Sequence, residues 1–310
     1  MPVKLKGENQ IRKFRRAAGD LVSRIASCEG VAGIVFLGAL VRGFADRYSD
    51  LDITVLLSKR DEKLRMQIRK MASDEARRSG VDDVDLMIEF LEDLKKREWD
   101  ETDKWDFSKA AKIVFDPKGE VKDVFREKLR VPNDFWVKRV VVCAERLKWY
   151  CCPPEEDWVL RRRRLGLSST ISESWIDRGD SVAAHYCLNY GVDLLLEALF
   201  ALNREFLPVP KWRIFYSYGL KWLPEDYKEL LKETMYTKSF SVKELNRRLK
   251  AIRKLWLKVI LKIEDEIGLT PKQISEYYVH KILHQTWPPK VSINQRDSPP
   301  GACQTGRQIH

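Results

Sequence analysis

The chain has 310 residues, 44% of them hydrophobic and 33% charged, enough for about two domains with cores of their own and too apolar for a disordered chain or a fibre. The longest apolar run, Ile34 to Val41, falls well short of the ~20 residues of a membrane span, and the first residues show no secretory or lipidation signal, so a cytoplasmic protein is expected. Net charge is +11, of which +3 accrues through residue 130 and +8 after it; such a field suits a phosphate-bearing partner without choosing between a nucleotide and a nucleic acid.

Ile11, Phe14, Ala18, Leu21, Val22 and Ile25 recur at helical spacing, so residues 8–28 are expected to form an amphipathic helix. VAGIVFL (31–37) and LDITVLL (51–57) read as buried strands flanking the polar, glycine-punctuated loop 38–50. A charged helix over 60–79 stops at Gly80, and VDLMIEFL (84–91) gives a third strand with Asp85, Met87 and Glu89 on one face. Residues 92–110 read as charged and irregular, KIVF (112–115) as a short strand, and 121–129 as a helix.

Beyond Pro132 strand signals almost disappear. Helical patterns occupy 133–150, 155–178, 180–203, 224–235, 241–266 and 271–284, broken by CCPP and LPVPKW, with Thr270 as an N-cap. The expected fold is therefore α+β: a mixed sheet with flanking helices over 1–130, an all-α helical bundle over 131–288, and a disordered tail over 289–310. The six cysteines are scattered without metal-ligand spacing, so buried reduced thiols are expected rather than a zinc site.

The chemistry concentrates in Gly38-Ala39-Leu40-Val41-Arg42-Gly43-Phe44-Ala45-Asp46-Arg47-Tyr48-Ser49-Asp50-Leu51-Asp52-Ile53. Period-two alternation points Asp50 and Asp52 the same way, roughly 7 Å apart along an extended chain. Two carboxylates so placed suit a hard divalent cation that keeps positions open for substrate phosphates, and two such ions would serve an in-line phosphoryl or nucleotidyl transfer. Gly38 lets the backbone pass close to a ligand, and amides after it would face phosphate. Arg42 is either a phosphate partner or a helix-face residue paired with Asp46.

This segment resembles the signature of the DNA polymerase beta-like nucleotidyltransferase superfamily: Gly-Ser or Gly-Gly, a few residues, Arg-Gly, then Ser-Asp-hydrophobic-Asp. The resemblance implies that Asp50 and Asp52 ligate Mg²⁺, with two ions expected, that Gly38 and Ser49 belong to the phosphate-side scaffold, and that a third acid on a later strand completes the site. Asp85, 33 residues after Asp52, is the expected third acid, as metal ligand or as base on the incoming hydroxyl; Glu89 shares its face, and a solvated turn is the competing reading of Asp82, Asp83 and Asp85. Ala39 departs from the pattern, where a small hydroxyl or glycine usually meets the triphosphate, which leaves its backbone amide for that role.

The pairing with a helical second half is similar to nucleotidyltransferases that modify aminoglycosides or lincosamides, and HYCLNYGVDLLLEALFALNREFLPVPKWR (185–213) looks like a segment of prokaryotic proteins of that layout. The resemblance covers most of residues 30–290. It implies a nucleoside triphosphate, ATP by expectation, giving its nucleoside monophosphate to a hydroxyl of a small molecule. An RNA end or a protein hydroxyl as acceptor, and a nucleotide sensor without transfer, are the alternatives. Asn203 and Lys211 bracket a proline-fixed turn and are expected to present an amide and an ammonium to phosphate or base. Asn189, Asp193 and Glu197 read as a site wall or as ordinary surface, and His185 as a base or a structural residue. The Arg161–Arg164 run reads as a nucleic-acid contact or a solvated helix face.

Overall fold

A computed structural model of the chain describes residues 5–81, 84–153 and 155–283. The tail expected over 289–310 lies outside the described residues, as do Asp82 and Asp83. The expected α+β architecture is observed: a four-stranded mixed sheet with flanking helices, followed by a run of helices alone.

Helix α1 (Ile11–Ala26) buries Ile11, Phe14, Ala18, Leu21 and Ile25 of the stripe read from the sequence, together with Ala17, while Val22 is half-buried at its edge. Strand β1 (Val31–Phe36) leads into the single-turn helix α2 (Gly38–Arg42), and strand β2 (Ile53–Leu57) into helix α3 (Glu62–Ser79). The Asp61 carboxylate accepts from the Leu64 amide at one end of α3, and Gly80 (φ +63°) closes the other in the left-handed conformation that glycine adopts most easily. Strand β3 (Leu86–Phe90) follows. The region read as irregular holds helix α4 (Leu91–Lys96), helix α5 (Glu101–Trp105) and a π-helical turn at Asp106–Ala110. The Asp100–Asp103 capping box that starts α5 is visible in the sequence, but each piece is too short to show a helical period. Strand β4 (Lys112–Phe115) and helix α6 (Glu120–Lys128) complete this half.

The strand order is β3-β2-β1-β4, with β1 antiparallel to β2 and β4, and β2 parallel to β3 across the α3 crossover. One face of the sheet packs Ile34, Ile53, Val55 and Leu57 against α1 and α3. The other packs Val35 and Leu56 against Leu91, Trp99, Val121 and Phe125. The sheet therefore brings the end of β1 and the beginnings of β2 and β3 to one edge, where the candidate acids lie.

The second half contains α7 (Phe135–Tyr150), α8 (Glu156–Arg164), α9 (Ile171–Asp177), α10 (Ser181–Leu202), α11 (Pro210–Ser217), α12 (Tyr227–Met235), α13 (Val242–Ile267) and α14 (Pro271–Tyr277), with a π-helical turn over Tyr278–Leu283. The pattern over 155–178 is two helices rather than one, separated at Gly166 (φ +64°). Helix α11 starts at Pro210, inside the segment read as a break; a proline lacking its N–H costs nothing in a first helical turn. Thr270 caps α14 in a capping box with Gln273. Helix α10 is buried on nearly all sides, and its core includes Leu188, Leu195, Leu199, Leu249, Ile252 and Trp256. A small cluster of Trp105, Ala110 and Phe206, backed by Phe135, Trp136 and Tyr216, packs the first half against the second. Cys143, Cys151, Cys152 and Cys187 are buried and unbridged.

Candidate active site

Asp52 ends the approach to β2: its carbonyl accepts from the Leu37 amide (3.1 Å), and the next residue, Ile53, donates its amide to the Asp85 carbonyl (3.0 Å). These two bonds tie the end of β1, the start of β2 and the start of β3 together. Regular pairing begins at Ile53 and Leu86, so Asp50, Asp52 and Asp85 sit on the extended segments just before the strands rather than within them, a correction to the expected strand limits. Carboxylate oxygens of Asp50, Asp52 and Asp85 all lie within 4.8 Å of one another, and this is the one group of three or more potential ligands among the described residues. Glu89, four residues further along β3, is not in it; its carboxylate faces Arg97 (3.4 Å).

Asp50 and Asp85 are exposed and Asp52 is half-buried. Burial pushes the Asp52 carboxyl up to about 6, and the neighbouring Asp50 and Asp85 charges push the same way, against Arg42 and Lys211. Three converging acids with too little counter-charge make a receptor for a cation, and an all-oxygen carboxylate donor set suits Mg²⁺.

Gly38 explains how Asp52 fits. Its φ is +53°, and a Cβ on it would stand 1.9 Å from Asp52 Oδ2. Only a residue without a side chain lets the first turn of α2 and the Asp52 carboxylate occupy adjoining space. Ala39 is buried in the core that the sheet forms with α1 and α3, so its methyl is a packing group and only its backbone is left for a ligand.

A cavity of about 560 Å³ opens beside the triad, with Gly38, Arg42 and Lys211 in its wall. The Arg42 guanidinium lies over the Trp212 ring, 4.4 Å from its centroid, and not against Asp46. Asp46 instead accepts from the Tyr48 amide (3.0 Å) and the Ser49 hydroxyl (3.1 Å), making the turn that delivers the chain to Asp50. Ser49 therefore shapes the loop and is not in the cavity wall.

Asn203 also stands apart from the cavity. Its amide nitrogen donates to the Leu199 and Trp222 carbonyls (2.8 and 3.0 Å) and its oxygen accepts from the Trp222 amide (2.7 Å), which staples the end of α10 to the connection between α11 and α12. The other polar interruptions of α10 are likewise clamps between helices. Asn189 accepts from Arg248, Asp193 pairs with Arg213 (3.4 Å), and Glu197 faces Arg139 (3.7 Å). His185 is fully buried, with Nδ1 2.8 Å from Arg248 and Nε2 3.2 Å from the Ser241 carbonyl. Helix α8 with its four arginines buries no residue, and Arg162 donates to the Ser168 carbonyl (2.8 Å).

Several wall residues escaped sequence reasoning. Trp105, Asp106 and Phe107 come from the region read as irregular, and Trp212 from the unexpected helix α11. Asp106 is half-buried, and burial, followed by the Asp103 charge, raises its pKa against the opposing Lys211 and Arg42. The cavity thus carries acids from the sheet edge and from the α5 region, with Arg42, Arg97 and Lys211 as the cations in its wall.

The chain matches no protein-family model and no curated protein. Solved structures do match. One is a nucleotidyltransferase-like protein from Exiguobacterium sibiricum, at 12% identity and a TM-score of 0.38 over 82% of this chain and 78% of that one. Two others are toxin–antitoxin structures: a mutant of MntA-HpeT (14% identity, TM-score 0.27, 42% of this chain and 95% of that one) and one with AMP-PNP (16%, 0.26, 44% and 97%). Likeness at this level transfers no activity, and function has to be read from the site itself.

Proposed function

We propose that this protein is a divalent-metal-dependent nucleotidyltransferase that moves a nucleoside monophosphate from a nucleoside triphosphate, ATP by preference, to a hydroxyl of a small molecule. The convergence of Asp50, Asp52 and Asp85 within 4.8 Å at the edge of a cavity carries this reading. The acceptor oxygen would bond to the α-phosphorus as the α–β bridging bond breaks, and pyrophosphate would leave with that electron pair. Asp50 and Asp52, with Asp85 as the candidate third ligand, would hold Mg²⁺, which when bound would supply neutralisation of the charge that develops in the transfer.

The chain's own residues take the remaining tasks. Asp85, which is exposed, would either complete the ligand set with Asp50 and Asp52 or, left free of the metal, accept the acceptor hydroxyl's proton. Arg42 and Lys211 line the same cavity and would meet the triphosphate. Gly38 lets the backbone approach the phosphates, with the Ala39 amide behind it. Residues 1–130 would form the catalytic unit and 131–288 the unit that closes over the substrate, a division supported by core clusters drawn from residues 11–129 and 140–274 with only a small junction between them.

The test is transfer of label from α-³²P nucleotides to compounds of a cell extract, run with wild type, Asp50→Asn and Asp52→Asn. Labelled product with the wild type and at least ~100-fold less with each variant is expected; equal labelling by all three refutes the assignment. A second reading, nucleotide binding without transfer, is favoured by the burial of Ala39, which leaves no hydroxyl at the start of α2. Binding of Mg-ATP with no pyrophosphate release over a broad acceptor panel would select it.

A further inference from the structure

We propose that Trp212 and Tyr216 are positioning residues for Arg42, holding its guanidinium beside the acid triad so that its remaining N–H groups meet the triphosphate; the triphosphate rests on the reading just given.

Arg42 ends a helix of only five residues, and an arginine side chain left to itself samples many rotamers. Here the guanidinium carbon stands over the indole ring of Trp212, 4.4 Å from its centroid. A cation–π contact uses none of the guanidinium's N–H donors, so those other than the buried Nε remain for a phosphate oxygen. Tyr216, one helical turn after Trp212 on α11, has its hydroxyl near enough to the same guanidinium for the Arg42 charge to act on it. Its ring packs edge-on against Trp105 (4.6 Å) and Trp212 (6.0 Å), and Trp105 is 2% exposed in the junction between the two halves. The clamp is therefore anchored in packed structure.

The Arg42 Nε is buried without a hydrogen-bond partner, so the ring contacts hold the group rather than a full set of polar bonds. No ion pair draws Arg42 onto Asp46, and its charge instead acts on Asp52 and Asp106 together with that of Lys211, the residue preceding Trp212. The second half of the chain, through one face of α11, thus sets where a cation of the first half stands.

Inorganic tripolyphosphate with Mg²⁺ is the probe, because it has phosphates and no base. Its affinity, measured by calorimetry on the full chain at fixed ionic strength, is expected to fall about tenfold in W212L and in R42M, and the double variant should be no weaker than R42M alone. W212F keeps a π face and should remain within about threefold of wild type. Additive losses overturn the proposal, as does failure of the wild type to bind the probe. So does a W212L variant that binds tripolyphosphate normally but ATP poorly, since Trp212 then reads the base. Should W212L not fold, Y216F carries the test: about threefold weaker binding in the wild-type background and no change in an R42M background are expected, and equal weakening in both overturns it. Coupled tripolyphosphate binding without pyrophosphate release from any nucleotide would sink the transfer reading and leave the clamp standing.

Discussion

Gly38 and Asp52 share one space: a methyl group on the glycine would fall 1.9 Å from the acid's Oδ2. Gly38→Ala must therefore push the carboxylate out of the triad or unwind the first turn of α2. The left-handed φ adds a backbone cost of roughly 1 kcal/mol. The expected outcome is at least a tenfold loss of Mg²⁺ affinity with a modest loss of stability, read by metal titration and thermal unfolding of the same samples. Unchanged metal affinity would show that Asp52 is not held by this contact.

The same acid is a cost in the metal-free protein. Its carboxyl pKa rises from 3.8 to about 6, so ionised Asp52 opposes folding above pH 6 and the penalty disappears as pH falls through 6 toward 4. The shift corresponds to at most about 3 kcal/mol, screened by the solvent that reaches the rim. Asp52→Asn should therefore raise the Tm of metal-free protein at pH 7.5 and abolish the further rise that Mg²⁺ gives the wild type. A variant less stable than wild type without metal contradicts this.

His185 and Arg248 are buried in direct contact, and burial lowers the histidine's pKa below 6.5, with the Arg248 charge acting in the same direction. The unfolded chain thus takes up a proton before the folded one does. Stability is fully present above pH 6.5 and declines as pH falls from 6.5 toward the lower folded value. Urea unfolding at pH 7.5 and 5.5 should show this decline, and His185→Gln should remove its share of the slope. An identical slope in both proteins would place the titration elsewhere.

Gly191 on α10 faces Cys151 so closely that a Cβ would lie 2.4 Å from its Sγ. Alanine favours a helix interior over glycine by about 1 kcal/mol, yet overpacking here should outweigh it and Gly191→Ala should destabilise by about 1–3 kcal/mol. Cys151→Ala in the same chain should recover most of that loss, which denaturant titration of the double variant measures. Additive destabilisation would rule out the contact as the cause.

Much of the molecule is legible in the sequence where one physical signal is repeated. The α1 stripe, the strands β1 and β4, the Gly80 cap and the capping box at Thr270 each rest on spacing or a positive-φ glycine. Asp50 and Asp52 are legible because an apolar strand approach interrupted twice by acids is costly without a purpose. The cavity's far wall was hidden for a different reason. Helices α5 and α11 are held by aromatic packing of Trp105, Phe206 and Tyr216 across distant parts of the chain, and five to eight residues are too few to show a period. Asn203 looked like a site residue because a polar group at the end of an apolar helix signals either a ligand or a staple; only its partners at Trp222 distinguish the two.

The backbone bonds from Leu37 to Asp52 and from Ile53 to Asp85 have a consequence for how this chain tolerates change. Those bonds moor Asp52 and Asp85 at the ends of neighbouring strands, while Asp50 is placed by the loop before it, where Ala45 is fully buried, its carbonyl accepts from the Gln10 amide (2.7 Å) and the Asp46–Ser49 turn leads into the acid. A slip of one residue between β2 and β3 would swing Asp85 to the far side of the sheet and scatter the trio. Length changes in residues 43–48 should thus displace Asp50 alone and single-residue deletions in the strands the whole trio, so the stagger of the sheet acts as the gauge that sets the bite of the site.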